Sequence, residues 1–250
     1  MKTLLTYTGP DKKFDKEHSL LAKIQIDNHL DLGWKRKDIL LVTDFDYEYK
    51  GIKSLVIGDG FYYKFDKSSN KIPVIIELFD KGYLSEKELY WYHDFDVYQL
   101  EAIDENELDL TNFDLGLTSY GYKPQWNLGC IFFKKSASDI FKLIHNDILN
   151  KRKSDNRCDE KALKRLIVSR AISKKRYKDL NVTYNLTKRC IQTNYRNAKK
   201  PLKVIHFHLW DKDAMMNDTA LNIFMYGKNR VKIPLMTERL IKIFNYHGIK

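Results

Sequence analysis

Two carboxylates one residue apart, Asp94 and Asp96, follow directly after an aromatic run from Leu89 to His93. A run of this composition is typical of a strand that is buried on both faces. Unpaired carboxylates are costly to bury beside such a strand, and a bound cation would compensate them. An Asp-x-Asp turn can offer oxygens from both side chains to one hard divalent ion, while water and substrate phosphates complete its shell. The spacing therefore predicts a metal site that serves phosphate chemistry.

The elements before this site alternate between strands and helices. Strands are predicted at 4–9, 39–43, 52–57 and 89–93, with a helix from an N-cap at Ser19 toward Gly33. A second helix has Asn70 as N-cap, Pro73 in its first turn and Gly82 at its end. This alternation predicts an α/β fold with a mainly parallel central sheet flanked by helices. In such sheets ligands bind beyond the carboxyl ends of the strands, where Asp94 and Asp96 lie.

The second half of the chain is less regular. A strand is predicted at 129–133, followed by a helix capped by Ser136 or Ser138. A basic helix is predicted from Asp159 to Tyr177. The segment 203–208 alternates as a strand does, so that His206 and His208 share one face. A last helix is predicted from Thr237 to Gly248.

Composition and charge narrow the class of protein. The 250 residues can form one large domain. Three widely spaced cysteines argue against a disulfide framework or a cysteine-built zinc site, which favours a reducing compartment. The N-terminus has too short an apolar run for a signal peptide, and we expect no membrane span and a cytoplasmic location.

The net charge of +11 is concentrated in one segment. Residues 151–200 contain 17 lysine or arginine residues and 4 aspartate or glutamate residues, whereas the rest of the chain is slightly acidic. This excess favours an anionic partner for the segment. The alternative is a lysine-rich helix face that contacts only solvent.

The order of these motifs resembles the nucleotide-sugar-dependent glycosyltransferases of the GT-A fold. The resemblance covers roughly residues 1–210. It is carried by a Thr/Gly turn after the first strand, Asp94-Phe-Asp96 after an aromatic strand, Asn127-Leu-Gly129 entering another strand, Asp159-Glu160 opening a helix, and a late His206-Phe207. It implies one domain over 1–250, with a nucleotide-binding half at about 1–100, an acceptor half at about 101–210 and a C-terminal helical extension at 211–250.

The resemblance also implies the roles of individual residues. Asp94 and Asp96 would bind Mn²⁺ or Mg²⁺ that bridges the phosphates of a nucleotide diphosphate sugar, with His206 or His208 as a further ligand. The residues implied near the donor or acceptor are Thr6, Thr8, Gly9, Asn127 and Gly129. Asp159 would be the base if the reaction inverts stereochemistry. Lys199 and Lys203 precede the histidine strand and could contact the phosphates. The chain lacks the Lys-Pro-Trp sequence that follows the late histidine in some of these families.

A second Asp-x-Asp, Asp44-Phe-Asp46, also follows a strand. We favour Asp94 and Asp96 because they follow the additional helix that the family places before its metal site. Either pair can instead be a turn or helix cap.

Several assignments leave alternatives open. The two histidines can be a polar strand face, Asn127 a turn residue, and Asp159-Glu160 the acidic first turn of a helix. Tyr120, Tyr122 and Trp126 lie in a Gly/Pro-containing loop and are candidates for stacking on a base or sugar.

The predicted function is a metal-dependent glycosyltransferase. Its acceptor would be either polyanionic, for example DNA with a hydroxymethylated base, or a glycan. The alternatives are a metal-dependent nucleotidyltransferase or phosphohydrolase, and a non-enzymatic nucleic-acid-binding module that uses the basic segment 151–200.

Overall fold

The computed structural model describes residues 1–64, 66–121, 125–151, 158–188, 190–207 and 235–249. Twelve strands lie in these ranges: β1 Lys2–Tyr7, β2 Ile39–Thr43, β3 Glu48–Tyr49, β4 Ile52–Lys53, β5 Leu55–Val56, β6 Tyr90–His93, β7 Val97–Gln99, β8 Leu115–Ser119, β9 Trp126–Phe133, β10 Tyr177–Leu180, β11 Leu186–Thr187 and β12 Val204–His206. The helices in the same ranges are α1 Lys16–Asp31, α2 Lys71–Asp80, α3 Glu105–Leu108, α4 Ser138–Leu149, α5 Asp159–Val168, α6 Ile191–Asn197 and α7 Glu238–Tyr246.

A seven-stranded sheet forms the centre of the fold, with strand order β10-β8-β9-β6-β1-β2-β5. Strands β6, β1, β2 and β5 run parallel to one another, and β10 runs parallel to β8. Strand β9 runs antiparallel to both of its neighbours, β6 and β8. The carboxyl ends of β1, β2 and β6 therefore meet the amino end of β9 at one edge of the sheet, which confirms the predicted mostly parallel α/β fold.

Helices cover both faces of this sheet. Consecutive side chains of a strand point to opposite faces, and along β1 Leu4 packs with residues of α2, α4 and α5, whereas Leu5 packs with residues of α1 and α7. Both leucines are fully buried. All four residues of β6 and all eight of β9 are buried, as expected for central strands.

A small second sheet, of order β11-β12-β7, adjoins the carboxyl end of β6. Strand β12 pairs in antiparallel fashion with β7, so that His206 lies opposite Val97. Because β7 begins directly after Asp96, this pairing brings His206 next to the acidic pair although more than a hundred residues separate them in sequence.

The predicted helices lie close to their observed positions, but the residues predicted to cap them are not the ones that do so. Helix α1 begins at Lys16 because Asp15, rather than Ser19, caps it by accepting a hydrogen bond from the His18 amide. The Asn70 side chain accepts from the Tyr63 amide instead of capping α2. Gly82 does end that helix, with a positive φ of 72°.

The long basic helix predicted over 159–177 is wrong beyond Val168. Helix α5 stops there because Arg170 adopts a positive φ of 63°, and Ser173 caps a separate helical turn. Tyr177 then starts β10 at the edge of the main sheet. Among the described residues, no helix combines the length and the apolar character that crossing a membrane requires.

Candidate active site

Asp94, Asp96 and His206 form one cluster at the carboxyl end of β6. One potential ligand atom from each residue lies within 4.8 Å of the others. The Asp94 amide donates to the carbonyl oxygen of Gly129 at 2.8 Å, which fixes the turn against β9. Two carboxylates and one imidazole form a donor set that divalent first-row cations accept.

The contacts of His206 orient its imidazole so that Nε2 faces Asp96. Its Nδ1 lies 3.2 Å from Oδ1 of Asn185, and the carbonyl oxygen of an amide is an acceptor, so Nδ1 carries the proton. Nε2 then presents a lone pair and lies 3.3 Å from Oδ1 of Asp96. A divalent cation bound by both residues would lie between these two atoms. His206 is buried, with only 2% of its surface exposed.

Gly129 leaves the space between the ligands open. A Cβ at this position would lie 2.5 Å from Oδ2 of Asp94 and 2.6 Å from Cε1 of His206. Both distances are shorter than any ordinary carbon contact, so a side chain would occupy the cradle between the carboxylate and the imidazole. The residues present therefore fit a divalent cation.

We expect Gly129→Ala to weaken Mn²⁺ binding by about 10- to 100-fold, because the added methyl group displaces Asp94 or His206 from its position. Mn²⁺-dependent thermal stabilisation of the protein measures this effect, since only a ligand of the folded state raises the melting temperature. Gly58→Ala is a matched control, because nothing lies within 4 Å of a Cβ at that position. Equal Mn²⁺ affinities of the two variants would contradict the assignment.

A buried lysine lies behind the acidic pair. Nζ of Lys71, the first residue of α2, lies 3.3 Å from Oδ1 of Asp94 and 3.3 Å from Oδ2 of Asp159. It also donates to the carbonyl oxygen of Leu128 at 3.2 Å. Burial lowers the pKa of Lys71, but Asp159 and Asp94 outweigh burial and raise this pKa well above its ordinary value. Lys71 is therefore a fixed positive charge inside the site.

Asp159 and Glu160 open helix α5 on the other side of Lys71. Burial raises the pKa of Asp159 to about 7 against the favourable charge of Lys71. Burial also raises the pKa of Glu160, whose carboxylate accepts from the Tyr120 hydroxyl and from the Leu128 amide. Carboxyl groups with raised pKa values beside a fixed cation suit proton transfer near neutral pH.

A cleft of about 460 Å³ lies in front of the acidic pair. Its wall contains Thr6, Thr8 and Gly9 at the end of β1, together with Lys71, Asp94 and Asp96. The Thr8 hydroxyl donates to the carbonyl oxygen of Phe61, and the Gly9 amide donates to the Asp44 carboxylate. The turn after β1 is thereby held open toward the cleft.

Solved structures of glycosyltransferases share this architecture. A glycosyltransferase involved in glycosylation of the major capsid of PBCV-1 aligns with a TM-score of 0.55 at 13% identity, over 83% of this chain and 94% of that chain. The galactosyltransferase LgtC, in complex with donor and acceptor sugar analogues, aligns with a TM-score of 0.59 at 12% identity, over 89% of this chain and 93% of that chain. Mouse xyloside xylosyltransferase 1 aligns with a TM-score of 0.51 at 12% identity, over 83% and 97%.

The chain has the GT-A glycosyltransferase fold. No protein-family model and no curated protein matches the sequence, so the likeness rests on structure. The resemblance inferred from the order of the motifs is confirmed at the level of the fold.

Within this GT-A fold, the remaining residues predicted for the site differ in position. Asn127 is buried beside the ligand cluster, since its Oδ1 would lie 3.1 Å from a Cβ at position 129. It donates to the Tyr120 hydroxyl at 2.6 Å and accepts at 3.0 Å from Asn185, which also contacts His206. The side chain of Lys203 binds the carbonyl oxygen of Ala102, at the opposite end of β12 from His206.

Lys199 is exposed, and neither Lys199 nor Lys203 belongs to the described wall of the cleft. His208 and Tyr122 lie outside the described residues.

Tyr120 and Trp126 are each 3% exposed and belong to the interior, so the stacking role predicted for them is wrong. Asp44 and Asp46 belong to no three-residue ligand cluster within the described part of the chain.

Two residues of the candidate site were given no role from the sequence. Lys71 lies on the same face of α2 as the buried residues Val74, Ile75 and Leu78. A lysine inside such an apolar stripe is rare and could have indicated a buried charge partner. Glu160 gave no distinct signal, because an acidic residue in a first turn is also what the helix dipole favours.

Proposed function

We propose that this protein is a glycosyltransferase that moves a sugar from a nucleotide diphosphate sugar to an acceptor hydroxyl group. The observation that carries the proposal is the cluster of Asp94, Asp96 and His206 around an open cradle, at the edge of a GT-A sheet where the cleft begins. A cleft beyond the carboxyl ends of parallel strands is the usual ligand position in such a sheet.

The cleft wall suits a nucleotide diphosphate. Asp94, Asp96 and His206 would hold Mn²⁺ or Mg²⁺, which when bound neutralises negative charge on the departing diphosphate. The turn Thr6 to Gly9 would contact the nucleoside. Lys71, buried and positively charged, lies directly behind Asp94 and would contribute positive potential at the point where the bond to the sugar breaks.

We propose different roles for the two carboxyl groups at the start of α5. Asp159 is 2% exposed and its carboxylate binds Lys71, so it fixes the position and charge of that lysine. Glu160 lines an open groove next to the site and is the carboxyl group that an acceptor sugar can reach. In this arrangement Glu160 takes the role that the sequence suggested for Asp159, as the group that accepts the proton of the acceptor hydroxyl.

We expect Glu160→Gln to lower kcat for transfer by about 10²- to 10⁴-fold while KM for the donor stays within a few-fold, because only proton transfer is lost. Asp159→Asn should give a smaller loss of kcat together with a higher donor KM, because Lys71 loses one of its two carboxylate partners. Steady-state kinetics of both variants separate the roles. A larger kcat loss in Asp159→Asn would return the role of base to Asp159.

Thermal unfolding in the presence of a panel of nucleotide sugars, with and without Mn²⁺, tests the proposed function. We expect one nucleotide sugar to raise the melting temperature only when Mn²⁺ is present, followed by slow metal-dependent hydrolysis of the same donor. Mn²⁺-dependent cleavage of nucleoside triphosphates, without stabilisation by any nucleotide sugar, would favour a metal-dependent nucleotidyltransferase or phosphohydrolase instead. Nucleic-acid binding that Asp94→Asn leaves intact, without donor binding, would favour the non-enzymatic alternative.

A further inference from the structure

A groove of about 450 Å³ adjoins the candidate active site on the side of α5. Four of its described wall residues are cationic and one is the carboxylate Glu160. The described wall consists of Gln125, Lys151, Glu160, Lys161, Lys164 and Arg165. Lys151 follows α4, whereas Gln125 precedes β9. The groove therefore lies between two helices and the amino end of a central strand.

The groove extends from Glu160 along helix α5. Helix α5 begins at Asp159, and Lys161, Lys164 and Arg165 are spaced so that they share one side of it. A helix rises about 1.5 Å per residue, so Lys164 lies roughly 6 Å along the axis from Glu160. A sugar whose hydroxyl group meets Glu160 would extend along these lysines.

Part of the positive charge of the basic segment 151–200 lies in this groove. Elsewhere in residues 151–200, several cations are engaged by carboxylates: Lys174 binds Asp179, Lys178 binds Asp109, and Arg176 binds both Asp114 and Asp139. Among the described residues that line the groove, four are cationic and Glu160 is acidic, while Asp147, outside this lining, engages Arg165. The described part of the lining therefore has an excess of positive charge.

We propose that this groove binds an anionic saccharide as acceptor, with its carboxylate or phosphate group on Lys161 and Lys164 and its reacting hydroxyl group at Glu160. The proposal rests on the proposed glycosyltransferase function and names the acceptor class. The groove has the volume of a small-molecule pocket, for which about 300–1,000 Å³ is typical. A duplex nucleic acid would instead need a basic surface of at least about 600 Å², whereas this groove is a pocket whose described lining consists of six residues.

Binding of matched neutral and charged saccharides tests the inference. The charged probes are a hyaluronan tetrasaccharide, which carries carboxylates, and maltotetraose with a 6-phosphate, while chitotetraose and maltotetraose are their neutral counterparts. Ligand-observed NMR titration of the full chain should show at least one charged probe binding about tenfold or more tightly than its neutral counterpart, and this preference should shrink as salt is added. A preference for the carboxylate or for the phosphate probe identifies the anion.

The variant Lys161→Glu, Lys164→Glu should lose this preference, while its melting temperature and its metal-dependent donor hydrolysis stay unchanged. Lys175→Glu, Lys37→Glu makes the same change in net charge at two exposed positions outside the groove and should keep the preference. Equal binding of charged and neutral probes, absence of binding by any charged saccharide, or a preference that survives in the groove variant would overturn the inference. Tighter binding of a short DNA duplex, lost in the groove variant, would overturn it in favour of a nucleic-acid acceptor.

Donor hydrolysis separates failure of this inference from failure of the proposed function. If metal-dependent hydrolysis of a nucleotide sugar is observed and the charge preference is not, only the acceptor class is wrong. If no nucleotide sugar binds or is hydrolysed, the glycosyltransferase proposal itself fails.

Discussion

Replacement of Asp94 by asparagine should reduce metal-dependent donor hydrolysis and sugar transfer by at least about a thousandfold. The amide has nearly the shape of the carboxylate but lacks its charge, so the cation loses a ligand and the leaving diphosphate loses its neutralising partner. Asp96→Asn should have a similar effect, because Asp96 contributes both to the ligand cluster and to the contact with Nε2 of His206. Product formation from the donor identified by thermal stabilisation measures both variants.

Asp46→Asn is the matched control. Asp46 belongs to the second Asp-x-Asp of the chain and is exposed. Its replacement removes the same charge from the same kind of motif, and we expect full activity. Melting temperatures of all three variants should stay within a few degrees of the unmodified protein. Retained activity in Asp94→Asn, or an equal loss in Asp46→Asn, would refute the metal site at the end of β6.

Lys71→Met should destabilise the protein by about 3–5 kcal/mol at pH 8, because removal of one member of a buried ion cluster leaves an uncompensated charge. The lysine is 4% exposed and lies 3.3 Å from carboxylate oxygens of both Asp94 and Asp159. Methionine has a similar length, so loss of packing contributes little. Urea unfolding in the presence of a chelator measures the change without interference from bound metal.

The destabilisation should depend on pH in a defined direction. The pKa of Asp159 is raised from an ordinary 3.8 to about 7 in the folded protein, so the folded state binds this proton more tightly than the unfolded chain does. The resulting contribution to stability is complete below about pH 4 and is lost as the pH rises through 7. Without Lys71 the ionised form of Asp159 is still less favourable. We therefore expect the difference between Lys71→Met and the unmodified protein to be smaller at pH 5 than at pH 8.

A second substitution serves as the control for this effect. In Lys71→Met, Asp159→Asn both buried charges are absent, and replacement of a buried pair by neutral side chains is often nearly neutral for stability. We expect the double variant to recover most of the loss seen at pH 8 and to lose most of its pH dependence. A double variant that is as unstable as Lys71→Met alone would show that packing, rather than charge, explains the effect.

The fold was largely predictable because its elements carry strong local signals. Strand β2 lies at 39–43 as predicted, and α2 ends beside Gly82 as its sequence indicates. The errors arise where a tertiary contact outweighs the local signal. The apolar periodicity of α5 continues past Val168, but the chain turns at Arg170 so that Tyr177 to Leu180 can pair with β8. Nothing in the local sequence specifies that pairing.

The site was predictable only where one short motif contains the chemistry. Asp94 and Asp96 are visible in the sequence because they are adjacent to their strand. Lys71 is brought to them by the packing of α2, and its role depends on the 3.3 Å contacts that this packing creates. Lys199 and Lys203 are close to His206 in sequence, but β12 places Lys203 at the opposite end from the ligand.

The irregular pairing of β8 with β9 has a consequence for how the site can vary. Leu117 pairs with Ile131 but Thr118 pairs with Asn127, so residues 128–130 have no partner on β8. Peptide groups that do not pair with β8 are available for other contacts. Those of Leu128 bind Lys71 and Glu160, and the carbonyl group of Gly129 binds the Asp94 amide. Peptide groups are present whatever the side chain, so these contacts do not depend on the side chain at residue 128, which serves the buried core instead. A deletion of one residue within 128–130, in contrast, would shift all three anchor points in a single step.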